Sequence, residues 1–229
     1  MSEVAARWRD VRARVDAACA RAGRAPGEVT VVAVSKTQPA SAVRDAAAAG
    51  ATDFGENYAQ ELVAKAADCP PELRWHFIGR LQRNKAKLVA GRVALIHAVD
   101  GLELAVELGK RADRVQPMLM AVNLAGEATK GGVGADAAPA LAAQLARIAG
   151  VRLDGLMTMP PPDVDSTPHF VALRELRDRL AGEIGPLPVL SMGMSGDFEV
   201  AIACGATHVR IGTAIFGPRG TLSRSPSSP

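Results

Sequence analysis

Short apolar runs alternate along the chain with longer stretches in which apolar residues recur at helical spacing. The short runs are rich in β-branched residues, which is typical of strands buried in a parallel sheet. Eight strands are predicted: Val29–Ser35, Thr52–Phe54, Trp75–Ile78, Leu95–Val99, Pro117–Val122, Leu153–Met157, Pro188–Met192 and His208–Ile211. Seven helical segments lie between them: Ala40–Ala49, Tyr58–Ala67, Lys85–Ala90, Gly101–Asp113, Ala135–Ala149, Ser166–Ile184 and Gly196–Ala203. This alternation predicts repeated βα units.

A closed (β/α)8 barrel needs an eighth helix, and the N-terminal segment can supply it. One apolar face of that segment is formed by residues that recur every three or four positions: Val4, Trp8, Val11, Val15, Ala18 and Ala22. We therefore predict an α/β fold, a single TIM barrel with this additional N-terminal helix packing beside strand eight. An open doubly wound sheet is the competing fold, but its first βα turn commonly carries phosphate-binding glycines. The turn Ser35–Pro39 contains no glycine.

The length of the chain agrees with one barrel domain. It has 229 residues, and such barrels take ~250 residues and can be as short as ~200. We assign the barrel to residues 1–217 and expect residues 218–229 to form a disordered tail, because their Ser- and Pro-rich composition cannot offset the entropy cost of ordering. No run approaches the ~20 apolar residues that a membrane span requires.

Charge and cysteine content narrow the choice of partner and compartment. A formal net charge of +3 from 27 basic and 24 acidic residues is too small to indicate a nucleic-acid or membrane partner. Cys19, Cys69 and Cys204 are odd in number and far apart, which argues against a disulfide framework and a thiolate metal site. The four histidines also lack metal-site spacing, so we expect satisfied polar side chains rather than ligands. These features predict a cytoplasmic protein without a metal.

Lys36 is the first candidate for chemistry. In a barrel, the loops that follow the strands form the active face, and Lys36 directly follows the first predicted strand. A lysine at the mouth of an apolar barrel is partly desolvated, which favours the neutral amine that attacks an aldehyde. Taken alone, a lysine at the end of a strand is more often a solvated rim residue.

A second group of candidates follows the last two predicted strands. Residues 191–197 and 210–213 combine small side chains, hydroxyls and accessible backbone N–H groups. Barrels frequently bind phosphate with this pair of loops. Each loop alone is explained by glycine turns and by Ser195 capping a helix, but together they predict a phosphorylated ligand. Arg210 lies two residues before Gly212, so both should point to the same side of the strand.

Five motifs together resemble the YggS/PROSC family of pyridoxal 5'-phosphate (PLP) homeostasis proteins. They occur in the family's order, and the match extends to Gly217: Val34–Thr37, Phe54–Tyr58, His76–Lys85, Leu190–Ser195 and Val209–Gly217. The resemblance implies a barrel like the N-terminal domain of alanine racemase. One departure is the loop Thr129–Gly132, whose extra glycine is expected to loosen a lid without touching the cofactor.

The resemblance also implies a role for each candidate residue. It places a Schiff base with PLP on Lys36 and the PLP phosphate around four residues of the last two loops, Ser195, Gly196, Gly212 and Thr213. Arg210 is expected at the ring nitrogen, where a guanidinium keeps the nitrogen unprotonated and weakens the ring as an electron sink. Asn57 is expected to neighbour the ring.

Three functions compete at this point. We favour a monomeric, non-enzymatic PLP carrier or regulator, with no catalytic residues and with apo PLP-dependent enzymes as its recipients. The alternative is a PLP-dependent amino-acid racemase, which needs proton-transfer groups on both faces of its substrate. The chain has one tyrosine, Tyr58, and ends soon after strand eight, so the second base is expected to be missing. A cofactor-free aldolase that uses Lys36 is the third.

The loop at residues 123–134 adds one further hypothesis. It follows strand five and contains several glycines, so it is expected to form a mobile lid over the barrel mouth. Lys130 could then act as a second amine that takes the cofactor from Lys36 by transimination. A solvated lysine on a flexible loop is the simpler interpretation.

Overall fold

The computed structural model describes residues 2–126 and 131–218. Within these ranges the strands are β1 Thr30–Val34, β2 Asp53–Glu56, β3 Arg74–Phe77, β4 Leu95–Val99, β5 Gln116–Asn123, β6 Val133–Gly134, β7 Val151–Met157, β8 Val189–Ser191 and β9 His208–Ile211. The helices are α1 Glu3–Arg21, α2 Ala40–Ala48, α3 Ala59–Asp68, α4 Ala86–Val89, α5 Leu102–Arg111, α6 Ala138–Leu145, α7 Thr167–Ile184, α8 Phe198–Ala203 and α9 Thr213–Phe216. Lys130 and residues 219–229 lie outside the described residues.

Eight of the strands close into a parallel barrel. Their order is β4-β3-β2-β1-β9-β8-β7-β5, and a further pairing of β4 with β5 closes the ring. This confirms the predicted TIM barrel. Strand β6 was not predicted: it has two residues and pairs in parallel with the end of β5, with Val122 opposite Val133. Hence the loop after β5 is anchored to the barrel rim at its C-terminal end.

Helix α1 covers one side of the barrel, as predicted. The Ser2 hydroxyl accepts a hydrogen bond from the Ala5 N–H and caps the helix, while Glu3 in its first turn complements the helix dipole. Its buried face includes Trp8, Val11 and Val15 and packs against α8 and α9, the helices on either side of β9. The N-terminal helix therefore lies beside the eighth barrel strand. The exception on its predicted face is Ala22, which follows the end of the helix and is exposed.

Polar and charged side chains are buried among the apolar residues of the barrel. Apolar residues of the strands and helices pack into one continuous core between them. Several strand or strand-end residues are nevertheless buried although they are polar or charged: Ser35, Asp53, Glu56, His76, His97, Ser191 and Arg210. Such groups are costly to bury unless they are hydrogen-bonded, so their partners define the candidate site. No helix in the described ranges is both long and apolar enough to span a bilayer.

Candidate functional site

Lys36 lies where the sequence placed it, at the carboxyl end of β1. Strand β1 pairs in parallel with β9, with Ala33 opposite Ile211, so the residues that follow the two strands meet at one edge of the barrel. Half-buried Lys36 consequently lines a cavity of about 90 Å³ together with Gly212 and Thr213. The structure thus brings the candidate amine and part of the predicted phosphate cradle together.

The backbone on both sides of Lys36 is held by an ion pair from α3. The Lys65 ammonium donates to the Ser35 carbonyl oxygen at 2.5 Å and to Glu61 Oε1 at 2.6 Å. The same Glu61 oxygen accepts a hydrogen bond from the Thr37 N–H at 2.7 Å. Thr37 has a φ of 64°, which β-branched residues rarely adopt, and such strain persists where surrounding contacts impose it. The turn that presents Lys36 is therefore fixed from outside.

Glu56, at the end of β2, joins this ion pair between the strand and α3. Its Oε1 atom accepts hydrogen bonds from the Ser35 hydroxyl at 2.6 Å and from Lys65 at 2.7 Å. Burial raises the pKa of the Glu56 carboxyl, and the hydrogen bonds from Lys65 and Ser35 oppose that rise only in part. Among the described residues, its Oε2 atom has no hydrogen-bond partner although it is buried. The sequence suggested no role for Glu56 or Lys65.

The two predicted phosphate loops are joined directly. The Ser195 hydroxyl accepts a hydrogen bond from the Ala214 N–H, at 3.4 Å, in the first turn of α9. Ser195 thus links the loop after β8 to the loop after β9 and does not cap α8, which begins after Asp197. Ser195, Gly212 and Thr213 are brought together in this way, and exposed Gly196 is adjacent to Ser195.

Gly193 allows the backbone of the loop after β8 to turn and to pass close to α8. Its φ is 93°, in the region that favours glycine, and a Cβ at this position would lie 2.6 Å from the Ala201 Cβ and 3.0 Å from the Phe198 Cα. Its carbonyl oxygen accepts a hydrogen bond from the Arg210 N–H at 2.9 Å. Glycine at this point allows the loop to pack on both α8 and β9.

Arg210 is a buried cation within β9. Its Nη1 group donates to the Ser191 hydroxyl oxygen at 2.6 Å, and its Nη2 group donates to the Thr158 carbonyl oxygen at 2.9 Å. Burial lowers the pKa of Arg210 to about 10, so the guanidinium remains charged at neutral pH. Its two hydrogen-bond partners are neutral oxygens, and the Asp197 carboxylate interacts favourably with its charge.

A chain of hydrogen bonds continues from Ser191 across the inside of the barrel. Ser191 Oγ lies 2.8 Å from His97 Nδ1, and His97 Nε2 lies 3.0 Å from His76 Nδ1. His76 Nε2 in turn lies 2.8 Å from Asp53 Oδ1. Burial lowers the pKa of His97 well below its usual value. The sequence predicted that these histidines have hydrogen-bond partners, but it did not predict that they bond to one another. The only sequence signal for such a chain was the presence of polar residues within otherwise apolar strands.

Asn57 lies at a different part of the barrel mouth. It follows β2 and lines a larger cavity of about 1020 Å³, whose wall also includes Tyr58, Arg80 and Asp100. It does not line the small cavity shared by Lys36 and Gly212. Tyr58 is 59% exposed. The structure therefore brings Lys36 together with the phosphate loops, whereas it places Asn57 beside a separate open cavity.

The chain is similar in sequence and in fold to known PLP-related proteins. The family model for the N-terminal domain of alanine racemase matches residues 9–220. A pyridoxal phosphate homeostasis protein of Pseudomonas aeruginosa is 44% identical over 223 residues, covering 96% of this chain and 97% of the relative. The structure of PipY from Synechococcus elongatus with PLP bound has a TM-score of 0.82 and 34% identity, covering 94% of this chain and 100% of PipY. Alanine racemase from Corynebacterium glutamicum shares the fold alone: its TM-score is 0.71 at 15% identity, covering 97% of this chain and 62% of the racemase.

Proposed function

The chain belongs to the family of pyridoxal phosphate homeostasis proteins, which share the fold of the alanine racemase N-terminal domain, and on this premise we propose that it binds PLP and acts in PLP homeostasis. The observation that carries the proposal is the shared cavity of Lys36, Gly212 and Thr213. It combines an amine with small residues suited to a phosphate. PipY, a relative at 34% identity, binds PLP, which agrees with this assignment.

The residues at the barrel mouth fit PLP in three respects. The loops after β8 and β9 are held together by Ser195, so the N–H groups of Gly196 and Gly212 and the Thr213 hydroxyl can bind a phosphate between them. Arg210 provides a buried cation whose two hydrogen-bond partners are neutral oxygens. Lys36 supplies the amine. PLP, when bound, offers an aldehyde carbon to which an amine adds with loss of water, so Lys36 can hold the cofactor covalently.

Arg210 favours holding the cofactor over turning over a substrate. A guanidinium can only donate hydrogen bonds, so at the ring nitrogen of PLP it would keep that nitrogen unprotonated and limit electron withdrawal by the ring. Asn57 remains our candidate for a neighbour of the ring. We propose that the protein has no catalytic residues of its own and that it carries or regulates the cofactor.

We also propose a compartment, an oligomeric state and partners for the protein. Its cysteines are buried and free, Cys19, Cys69 and Cys204, which suits a reducing cytosol. We propose a cytoplasmic monomer whose recipients are apo forms of PLP-dependent enzymes. Lys130 is proposed as a second amine at the mouth, to be tested by the rate of PLP release from Lys130→Ala.

A spectral titration tests the proposed binding. PLP added to the purified protein should give a saturable change in absorbance with one site per chain. Pyridoxal, which lacks the phosphate, should bind at least tenfold more weakly, because charge-assisted hydrogen bonds contribute ~1.5–3 kcal/mol each. An absorbance change that does not saturate, or equal affinity for the two compounds, would argue against a phosphate cradle at this site.

An exchange experiment tests the non-enzymatic role. The PLP-loaded protein is incubated with alanine in deuterated water, with an authentic alanine racemase as the positive control. We expect no α-deuterium incorporation above a PLP-only control, because the Arg210 guanidinium at the ring nitrogen would limit electron withdrawal by the ring and so disfavour loss of the α-proton. Rapid incorporation with loss of optical purity would instead establish the racemase function.

A further inference from the structure

Five buried residues form what we call the polar chain: Arg210, Ser191, His97, His76 and Asp53. Strands β4 and β8 are not neighbours in the barrel, so the contact between His97 and Ser191 crosses the barrel interior. The chain starts at the guanidinium proposed to face the cofactor and continues through His97 and His76. It ends at Asp53, the first residue of β2. It therefore links side chains of five strands across the barrel interior.

The two end groups of the polar chain determine which atom donates and which accepts in each of its hydrogen bonds, and we call this order its direction. Arg210 can only donate, so Ser191 Oγ accepts from it. At the other end, burial opposes ionisation of Asp53, but hydrogen bonds from His76 and Thr52 and the charge of Arg74 lower the Asp53 pKa. An ionised Asp53 accepts from the His76 Nε2–H. In this direction His97 donates from Nε2 to His76 Nδ1, and the Ser191 hydroxyl donates to His97 Nδ1.

Arg210 depends on this direction for its orientation. Its side chain is held by the Ser191 oxygen and the Thr158 carbonyl oxygen. A carbonyl is fixed by the backbone, but a serine hydroxyl rotates and turns its lone pairs according to the partner that takes its proton. In the described residues that partner is His97 Nδ1, 2.8 Å from Ser191 Oγ. Loss of the His97 acceptor would free the Ser191 hydroxyl to turn its proton toward the guanidinium.

We propose that Ser191, His97, His76 and Asp53 are positioning residues that orient the Arg210 guanidinium toward the ring nitrogen of the cofactor. This inference rests on the proposed function for the identity of the ligand. The hydrogen-bond direction is a property of the protein alone and can be tested without the cofactor. Hydrogen bonds within a buried network strengthen one another. Removing the hydrogen bonds of His97 should therefore change the orientation of the Arg210 side chain.

His208 provides an internal control. Its ring centroid lies 6.0 Å from that of His76 and 6.2 Å from that of His97, so it packs within the same cluster. Its Nδ1 atom, however, contacts the Thr207 hydroxyl at 3.1 Å, away from the polar chain. Replacing His208 alters the packing of the barrel interior but leaves all four links of the polar chain in place.

Nitrogen-15 NMR of the cofactor-free protein tests the direction. With labelled imidazoles at pH 7.5, His97 and His76 should each show a protonated Nε2 and an unprotonated Nδ1. A proton on His97 Nδ1, or on both nitrogens of His76, would reverse the polar chain and overturn the proposal. Because no PLP is present, this result is independent of whether the proposed function is correct.

Four variants then test the effect on the cofactor site: His97→Leu, His97→Asn, Ser191→Ala and His208→Leu. His97→Leu and Ser191→Ala should each weaken PLP binding at least tenfold and shift the absorption maximum of bound PLP. His97→Asn should stay within about threefold of wild type, because its side-chain oxygen replaces Nδ1 as the acceptor for Ser191. His208→Leu should match wild type in both measurements.

The outcomes separate the two proposals. Thermal melts first establish that each variant is folded; if His97→Leu is not, Ser191→Ala decides. Wild-type affinity and spectrum in Ser191→Ala, or equal losses in His97→Asn and His208→Leu, would show that the polar chain only fills the barrel. If wild-type protein itself fails to bind PLP, the proposed function is wrong, and the NMR result still decides whether the chain has the stated direction.

Discussion

At the scale of single residues, the placement of Lys36 depends on a buried ion pair. Lys65 is only 6% exposed and contacts Glu56, Glu61 and the Ser35 carbonyl oxygen. Removing one partner of a buried pair leaves an uncompensated charge, which costs much more than the pair itself contributes. The peptide groups around Lys36 thus depend on a residue that contacts no part of the small cavity.

Lys65→Met is therefore expected to be strongly destabilising. Urea unfolding at pH 7 should show a loss of about 3–5 kcal/mol, since the Glu56 carboxylate would remain buried without its cation. The double variant Lys65→Met/Glu56→Gln should recover a large part of this loss because the orphaned charge is removed. Equal stabilities for the single and double variants would contradict this account of the pair.

Some residues of the candidate site could be predicted from the sequence and others could not. Lys36 and Arg210 could be predicted because each lies at or near the end of a β-branched apolar run, where a barrel places its active residues. Lys65 could not, because it lies on α3 and reaches the Ser35 carbonyl only after the chain has folded back over 30 positions. The polar chain was missed for the same reason: its contacts join strands far apart in sequence.

At the scale of elements, the loop after β8 determines the shape of the phosphate cradle. Gly193 packs so closely on α8 that any side chain must displace it. Gly182, within α7, has no heavy atom within 4 Å of the position of an added Cβ. The two glycines therefore form a matched pair for measuring what close packing contributes.

Gly193→Ala should destabilise the protein and weaken PLP binding, because a positive φ and a Cβ contact of 2.6 Å both oppose alanine. Gly182→Ala should raise stability by roughly 0.5–1 kcal/mol through helix propensity and leave binding unchanged. Thermal melts and PLP titrations of the two variants give the comparison. If Gly193→Ala bound PLP as tightly as Gly182→Ala, the loop would not shape the cradle.

At the scale of the whole molecule, burial in the closed barrel keeps two histidines, His97 and His208, neutral. Burial lowers the pKa of His208 to about 3 and that of His97 well below 6.5. Above pH 6.5 these groups are neutral in both the folded and unfolded states and have no effect on stability. Below it, the unfolded chain binds protons that the folded protein does not, so the free energy of unfolding falls as the pH falls.

Acidification from pH 7 to pH 5 should consequently destabilise wild type, with His208 contributing roughly 2 kcal/mol of the loss. The pKa of Glu56 is raised, so Glu56 stabilises the folded protein as the pH falls, opposite to His208. The effect of His208 is therefore measured as the difference in the free energy of unfolding between wild type and His208→Asn. Urea unfolding across this range should give a flatter pH dependence for the variant. Parallel curves would show that His208 titrates normally in the folded protein.

Most of the architecture was predictable at this scale. The eight barrel strands and the covering helix α1 follow from apolar periodicity. Strand β6 was not, because Val133 and Gly134 are too short a segment to show any period and pair only where β5 extends past the barrel. The larger cavity beside Asn57 also has no sequence signal, since it arises from how three loops meet.

We propose that this chain holds PLP covalently at Lys36, and reduction followed by peptide mapping identifies the lysine that carries the cofactor. The protein is loaded with PLP, reduced with borohydride, digested and analysed by mass spectrometry, in parallel with Lys36→Ala and with Lys85→Ala, which removes another half-buried lysine at the barrel mouth. We expect one stoichiometric adduct on Lys36 in wild type and in Lys85→Ala, and no adduct in Lys36→Ala. A stoichiometric adduct on any other lysine in wild type, or undiminished labelling of Lys36→Ala, would contradict it.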